Sequence, residues 1–515
     1  VGFFEDISVY IREGRVKNQD QLQSLKLRLA KKYSLEHIPK NSEILQFGGF
    51  TRKQRELLTI KKTRTISGVA VVAAMTSPER CPHGKCIYCP GGVDENTPQS
   101  YTGYEPAALR ARMNDYDPYW QVFNRLKQLE TIGHDTSKVD LIVMGGTFTS
   151  RSVDYQRSFV KGCLDGMNRC VSRTIEESIG LNETSERSCV GLTVETKPDW
   201  FFEREIDLAL SYGATKVELG VQIVNERVLR LNNRGHGVKE IVRATTLARD
   251  AGLKIVFHLM PGMFGASPDD DQRSIEKIFG DERFKPDMLK IYPTLVTRGT
   301  ALYRLWKEGK YVPPDTEEMV EFLRKLLERT PPWVRIQRVQ RDIPIRFIAA
   351  GVKRSDIRAL AEKLLEREGV RSMEIRFREV RDRLLNPSDM RLVRRDYLAS
   401  GGREIFLSYE SDIAIAGFLR LRIPSESGHR QELLDSSVVR ELKVFGKVVP
   451  VGLSTEAEWQ HRGYGRKLME EAERITRDEF DLSRIGVISG IGVRNYFRKI
   501  GYDLYGPYMV KGLNS

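Results

Sequence analysis

The chain has 515 residues, long enough for two or three domains with separate cores. Its 40% hydrophobic and 30% charged residues describe a soluble globular protein, and no apolar run approaches the ~18 residues needed to span a bilayer. The net charge of +13, from 83 basic and 70 acidic residues, points to a polyanionic partner such as a nucleic acid. No signal-peptide pattern is visible, and the six cysteines follow no disulfide framework, so a reducing, cytoplasmic setting is expected.

Residues 1–64 carry 14 Lys/Arg against 7 Asp/Glu. Leu22, Leu25, Leu27 and Leu29 among basic residues predict short helices that end at Pro39. From about residue 65 apolar, strand-like runs alternate with helix-length periodic segments. The runs are Ile66–Ala74, Val139–Met144, Cys189–Val194, Thr215–Leu219, Lys254–Met260, Met288–Tyr292 and Val334–Val339. Helices are predicted over Tyr119–Glu130, Phe201–Tyr212, Val238–Ala251 and Glu317–Arg329. Such alternation argues for a parallel sheet closed into a full or partial (β/α) barrel, with function at the C-terminal strand ends.

Those ends are distinctive. After the first run comes Cys81-Pro82-His83-Gly84-Lys85-Cys86-Ile87-Tyr88-Cys89-Pro90-Gly91-Gly92, a C-x4-C-x2-C loop. Thiolates are the usual protein ligands of iron–sulfur clusters, and three of them leave one iron of a four-iron cluster open to a small molecule. A zinc site is the competing reading, with His83 as a crowded fourth ligand, but Cys163, Cys170 and Cys189 offer no second C-x2-C pair. A Cys86–Cys89 disulfide is disfavoured by its short loop and by the reducing setting. The later strand ends carry Gly145-Gly146, Glu195, Gln222, His258 and Lys290-Ile291-Tyr292. Paired glycines permit close backbone approach to a ligand.

Residues 346–395 read as a connecting layer, with an amphipathic helix near Ser355–Glu368 and an Arg-rich stretch from Arg371 to Arg395 that forms a second basic face. From residue 396 antiparallel strands are predicted at Glu404–Tyr409, Ile413–Arg422 and Arg440–Val451. Gln460-His461-Arg462-Gly463-Tyr464-Gly465 then leads into a helix, Leu468–Arg477, and backbone N–H groups at a helix N-terminus make a pyrophosphate site. A strand, Ile485–Ser489, and a helix, Val493–Lys499, follow.

The cysteine loop resembles that of the radical S-adenosylmethionine (SAM) enzymes, and the C-terminal order is similar to the GNAT acetyltransferases. The pairing in one chain resembles the catalytic subunit family of Elongator, which makes carboxymethyl-type modifications at the wobble uridine of tRNA. The motifs carrying that likeness include Gln99–Pro106, Met144–Phe148, Asn233–His236, Tyr292–Leu295, Val339–Pro344, Arg394–Tyr397 and Gly506–Met509. The fold expected is α/β: a partial (β/α) radical-SAM barrel over residues 65–345, a linker layer over 346–395, and an α+β GNAT-type domain over 396–515, preceded by a basic helical tRNA-contacting segment at 1–64.

The resemblance implies a 4Fe–4S cluster on Cys81, Cys86 and Cys89. It also implies SAM held by Gly145, Gly146, Glu195 and Gln222, and acetyl-CoA held by Lys138, Glu441, Leu442, Lys443, Val444, Tyr464, Gly465, Arg466, Lys467 and Phe497. Lys290 and Tyr292 are its candidates for handling the acetyl group or a hydrolytic water. Phe497 and Lys443 stand where relatives often carry Tyr and His. The implied partner is a tRNA anticodon stem-loop, with further Elongator-type subunits or action alone or as a homo-oligomer, and no membrane. The rival readings are a protein lysine acetyltransferase acting through the C-terminal domain alone, with Glu441 as a possible base, and a non-enzymatic tRNA-binding scaffold.

Overall fold

The computed structural model describes residues 2–35, 37–59, 68–380, 387–445 and 463–513. Four helices open the chain: Phe3–Arg12, Gln19–Lys32, Asn41–Phe47 and Arg52–Leu58. Their apolar faces (Phe3, Ile7, Ile11, Leu22, Leu25 and Leu29 among them) form a small core of their own. Charged side chains such as Lys17, Arg28, Lys31 and Lys32 are left exposed. Lys61, Lys62 and Arg64 lie outside the described residues.

Seven strands then pair in strictly sequential order as one parallel sheet. They are β1 (Ala70–Met75), β2 (Lys138–Met144), β3 (Ser188–Thr196), β4 (Lys216–Gln222), β5 (Lys254–Leu259), β6 (Met288–Ile291) and β7 (Arg335–Val339). The order leaves β1 and β7 as edges, so the barrel is partial. All seven coincide with predicted apolar runs, shifted by a few residues at their ends. Side chains alternate across each strand. Val139, Leu141 and Val143 of β2, Val217 and Leu219 of β4, and Ile255 and Phe257 of β5 face the surrounding helices and join the main core.

The inward positions are different. An ordinary closed barrel fills its interior with branched apolar side chains. Here Asp140, Lys216, Glu218, Lys254, His258 and Lys290 alternate with those core residues. The crossover helices are capped by the chemistry their first residues supply. Asp117 accepts from Trp120 N at the head of Pro118–Thr131, and Asp315 forms a capping box at the head of Thr316–Arg329. The Ile357–Arg367 helix packs on Thr316–Arg329.

The second sheet runs β8 (Arg391–Ala399), β9 (Gly402–Glu410), β10 (Ile415–Ile423), β11 (Ser436–Val444), β12 (Arg484–Val487), β14 (Tyr508–Gly512), β13 (Asp503–Tyr505), with β11 and β12 parallel and the other pairs antiparallel. One helix, Tyr464–Asp478, packs Leu468, Met469, Ala472 and Ile475 onto it. The Arg-rich stretch differs from the exposed face predicted for it. Arg378 is buried on Glu410, Arg395 pairs with the same carboxylate, and Arg394 bonds Asp396 and Glu479. These arginines tie β8 and the preceding segment to the sheet. Arg381 and Arg383 lie outside the described residues.

The two sheets meet through a buried charge network. Arg440 bonds Asp287 at 2.6 and 2.7 Å and Glu404 at 2.7 Å, and donates to Leu253 O at 2.9 Å. Arg422 bonds Asp250 at 2.7 and 3.0 Å. Arg249, Arg420, Arg422 and Arg440 are all fully buried. Arg440 reaches Asp287 because the β10–β11 register shifts at this point, so that Arg440 is skipped in the pairing.

Candidate active site

At the C-terminal mouth of the barrel, Cys81, Cys86 and Cys89 line one cavity of about 310 Å³ with Gly146, Glu195, Gln222, Lys290 and Tyr292. All six cysteines are free. Each loop sulfur meets a donor: Thr147 Oγ1 at 3.5 Å from Cys81, Arg234 Nη1 at 3.3 Å from Cys86, and Ser100 N at 3.1 Å from Cys89. Burial holds the Cys81 thiol up and pushes that of Cys89 up to about 11, so these sulfurs ionise readily only against a cation. Three converging soft sulfurs with hydrogen-bond donors already aimed at them fit a cluster that leaves one iron open.

The loop is clamped from the β4 side. Arg234 is buried and also donates to Gly220 O at 2.6 Å, while Asn233 Nδ2 donates to Lys85 O at 2.8 Å. His83 Nε2 lies 3.2 Å from Cys86 Sγ, and burial, with Lys197 and Arg234 nearby, lowers its pKa to about 3, so the ring is neutral. The Asn233–His236 motif was visible in the sequence without a role, and the structure gives it this one.

Three of the four predicted SAM residues, Gly146, Glu195 and Gln222, line the same cavity, and Gly145 stands beside them. Gly145 and Gly146 end β2 with φ of 134° and 88°. A Cβ on Gly145 would stand 2.0 Å from Thr76 Oγ1, so no larger residue fits. Glu195 accepts from Tyr101 Oη at 2.7 Å and from Gly145 N at 3.4 Å. Gln222, at φ 69°, leaves its buried Oε1 without a partner among the described residues, an acceptor open to a ligand.

Deeper in the barrel, Glu218 accepts from His258 Nε2 at 2.8 Å and pairs with Lys290. His258 Nδ1 lies 3.7 Å from Glu195 Oε1, and its ring meets Tyr292 edge-on at 5.3 Å. Burial opposes both charges, but Lys290 and His258 more than offset it for Glu218, and Glu218 does so for Lys290. The carboxyl is held well below, and the ammonium well above, its ordinary range. Lys290 is therefore a fixed cation. Glu195, Glu218 and His258 place ligand atoms within 4.8 Å of one another, and the Lys290 ammonium already pairs with one of the two carboxylates, Glu218.

At the opposite end lies a second candidate site. β11 and β12 pair from Ser436↔Arg484 to Val439↔Val487, with Ile488 N donating to Val439 O at 3.1 Å as the last rung. Beyond it, among the described residues, Glu441, Leu442, Lys443 and Val444 have no strand partner on the β12 side, which leaves an edge for an extended ligand to pair with. Tyr464, Gly465, Arg466 and Lys467 form the first turn of the Tyr464–Asp478 helix behind Gly463, which has no side chain to cap it. A helix N-terminus of that kind suits a diphosphate. Gln460–Arg462 of the predicted glycine loop lie outside the described residues. Lys138 opens β2 opposite Ser188, which packs against Gly492, so it stands at the domain seam.

Phe497, expected at the acetyl-CoA site, is buried in the C-terminal core against Tyr502, while the half-exposed Tyr496 places its hydroxyl 3.5 Å from where a Cβ of Gly465 would stand. Tyr496 faces the helix N-terminus. Helical offset explains the exchange, since adjacent residues point about 100° apart.

A cysteine-loop barrel joined to a splayed-strand acyltransferase domain defines the chain as a radical SAM protein with a GNAT domain. Family models agree: the Radical SAM superfamily matches residues 75–278, the Radical_SAM C-terminal domain 286–367, the ELP3 N-terminal domain 2–66 and the Acetyltransferase (GNAT) family 369–502. A curated protein of Methanocaldococcus infernus named tRNA uridine(34) acetyltransferase is 47% identical over 98% of this chain and 97% of its own. The Elongator complex protein 3 of Bos taurus is 44% identical over 99% and 96%. A solved structure of the archaeal M. infernus Elp3 lacking its N-terminus superposes with a TM-score of 0.77 at 44% identity, over 87% of this chain and 100% of that one. The chain belongs to the Elongator complex protein 3 family. Membership of the radical SAM superfamily implies a 4Fe–4S cluster and SAM.

Proposed function

We propose that the chain builds a carboxymethyl group on C5 of uridine 34 in tRNA, taking its two carbons from acetyl-CoA. The observation that carries this reading is the placement of a three-thiol cavity and an acyl-donor gap at opposite ends of one barrel whose interior is polar. Cys81, Cys86 and Cys89 would hold the cluster, and Gly145, Gly146, Glu195 and Gln222 would hold SAM. Bound together, cluster and SAM supply a 5'-deoxyadenosyl radical by reductive cleavage, a hydrogen abstractor for the acetyl methyl group. Arg234 and Thr147 orient the loop sulfurs. Lys290, fixed as a cation by Glu218, presents positive charge to the acetyl oxygen, and Tyr292 closes the same wall.

Lys138, the edge of β11 from Glu441 to Val444, and the helix turn from Tyr464 to Lys467 would hold acetyl-CoA, with Tyr496 over that turn. The basic helices of residues 1–64 and the arginines at the barrel mouth would take the anticodon stem-loop, whose phosphates favour such a surface. The lysine acetyltransferase alternative loses its base. Glu441 accepts from Arg420 at 2.9 Å, and although burial opposes its charge, Arg420 and Lys254 hold the carboxyl below its ordinary range.

The test is nucleoside mass spectrometry of tRNA incubated with reconstituted protein, SAM, reductant and acetyl-CoA. 5-Carboxymethyluridine is expected from the unaltered chain and only background from Cys86→Ser. Acetylated lysine peptides with unmodified tRNA would overturn the reading.

A further inference from the structure

Two lysines on neighbouring barrel strands have opposite surroundings. Lys290 of β6 is locked on Glu218. Lys254 is the first residue of β5, in register with Lys216 of β4. The turn before it is pressed against the second domain, because a Cβ on Gly252 would stand 3.0 Å from Val438 and 3.5 Å from Ile488. Those residues flank the last β11–β12 rung, so Lys254 stands at the barrel floor where the gap between the two strands opens.

The charged neighbours of Lys254 are Glu441 on β11, Lys216 on β4, Asp140 on β2 and Asp287 before β6. Lys443 and Arg335 border the same group, sharing Glu441, Lys216 and Asp140. Each acid is already engaged: Asp140 with Lys216 at 3.2 Å, Glu441 with Arg420 at 2.9 Å, and Asp287 with Arg440 at 2.6 Å. Among the described residues the Lys254 amine has no hydrogen-bond or ion-pair partner. Burial, helped by Lys216 and opposed by Glu441, brings its pKa down to about 8. A general base works best when its pKa lies near the working pH. Lys290 is unsuited to that task, since Glu218 keeps it protonated.

We propose that Lys254 is the general base that activates water against the thioester held in the β11–β12 gap, leaving Lys290 a purely cationic role. The proposal rests on the acetyl-CoA reading above. Lys254, as the neutral amine, takes a proton from water while the water oxygen bonds to the thioester carbonyl carbon. The tetrahedral adduct then breaks its C–S bond, and the Lys254 ammonium returns the proton to the leaving thiolate. The products are a carboxylic acid and the free thiol of CoA, and no electron changes hands.

The experiment measures acetyl-CoA hydrolysis from pH 6 to 9.5 with tRNA present, for the unaltered chain, Lys254→Met and Lys254→Arg. Calorimetric binding of a thioether analogue of acetyl-CoA runs alongside. The unaltered chain should gain rate through an ionisation near 8 and then level off. Both variants should lose about 100-fold in rate, as expected for a missing general base, lose that ionisation, and bind the analogue within a factor of about 3. Arginine keeps the cation and its packing but cannot deprotonate, so it covers the case where methionine fails to fold. A variant with unchanged rate and pH profile overturns the base assignment alone. Failure of the analogue to bind the unaltered chain overturns the acetyl-CoA reading instead, and the base assignment with it.

Discussion

The mouth and the floor of the barrel are opposite ends of the same seven strands, yet they treat their polar groups differently. At the mouth, buried atoms such as Gln222 Oε1, Glu218 Oε1 and Arg234 Nε have no hydrogen-bond partner among the described residues. At the floor, Asp250, Asp287 and Glu404 are each bonded by arginines from across the seam or beside it. A buried polar group left alone costs about 1–3 kcal/mol. The mouth tolerates that cost where a ligand can complete the bonding, whereas at the floor the carboxylates are met from the second domain and the atoms left without a hydrogen bond are guanidinium nitrogens of Arg249 and Arg420, held in ion pairs at 3.6 Å. The N-terminal end of a barrel usually contributes stability alone; here it also docks the GNAT domain.

The comparison can be broken most severely at the floor. Arg440→Ala leaves Asp287 and Glu404 buried without their main cation, and should cost about 3–5 kcal/mol in denaturant unfolding. That loss depends on pH. Burial opposes the Asp287 charge, but Arg440, Arg420 and Arg249 offset it and hold the carboxyl below its ordinary range. Its stabilising contribution is therefore fully present above the unfolded value of about 4 and is lost as pH falls through the folded one. Melts of Asp287→Asn and the unaltered chain should differ most near pH 7 and converge toward acid.

At the mouth, Gly145→Ala drives a Cβ against Thr76 at a φ of 134° and should cost about 1–3 kcal/mol in unfolding, as well as weaken SAM binding about tenfold, or ~1.4 kcal/mol. Equilibrium binding to the reconstituted protein checks this, with unaltered affinity for an acetyl-CoA analogue as the control. The smallest effect belongs to the helix turn facing Tyr496. Tyr496→Phe removes one hydroxyl bond, about 0.5–1.5 kcal/mol, and should raise the Kd for acetyl-CoA a few-fold, while Phe497 substitutions should lower the melting temperature instead.

The barrel strands were readable because parallel strands covered by helices leave continuous apolar runs. The thiol loop and the glycines after β2 were readable for a related reason: cluster and cofactor chemistry demands those residue types at strand ends. Glu218 was missed although its signal was present, since a lone carboxylate between Val217 and Leu219 in a buried strand requires a cation inside the barrel. Lys254 reads in sequence as the solvated end of a strand, and in the structure it is half-buried where the second domain docks. β8 was read as part of an Arg-rich layer because Arg391, Arg394 and Arg395 hid its alternation; its exposed and half-buried positions alternate as on an edge strand. β13 and β14 are three and five residues long, too short for periodicity to register. The exchange of Phe497 for Tyr496 depends on a helix phase that a five-residue helix does not reveal.

Gly490 gives the seam a meaning for how such a protein can diversify. A Cβ there would stand 2.1 Å from the carbonyl oxygen of Val190, so the acetyltransferase backbone lies directly on a barrel strand. Cutting the chain between the two sheets would part Asp250 and Asp287 on the barrel from Arg422 and Arg440 on the other half. The acetyltransferase-type unit is thus not a transplantable cassette: on another barrel, Arg422 and Arg440 would need carboxylates at the same two places.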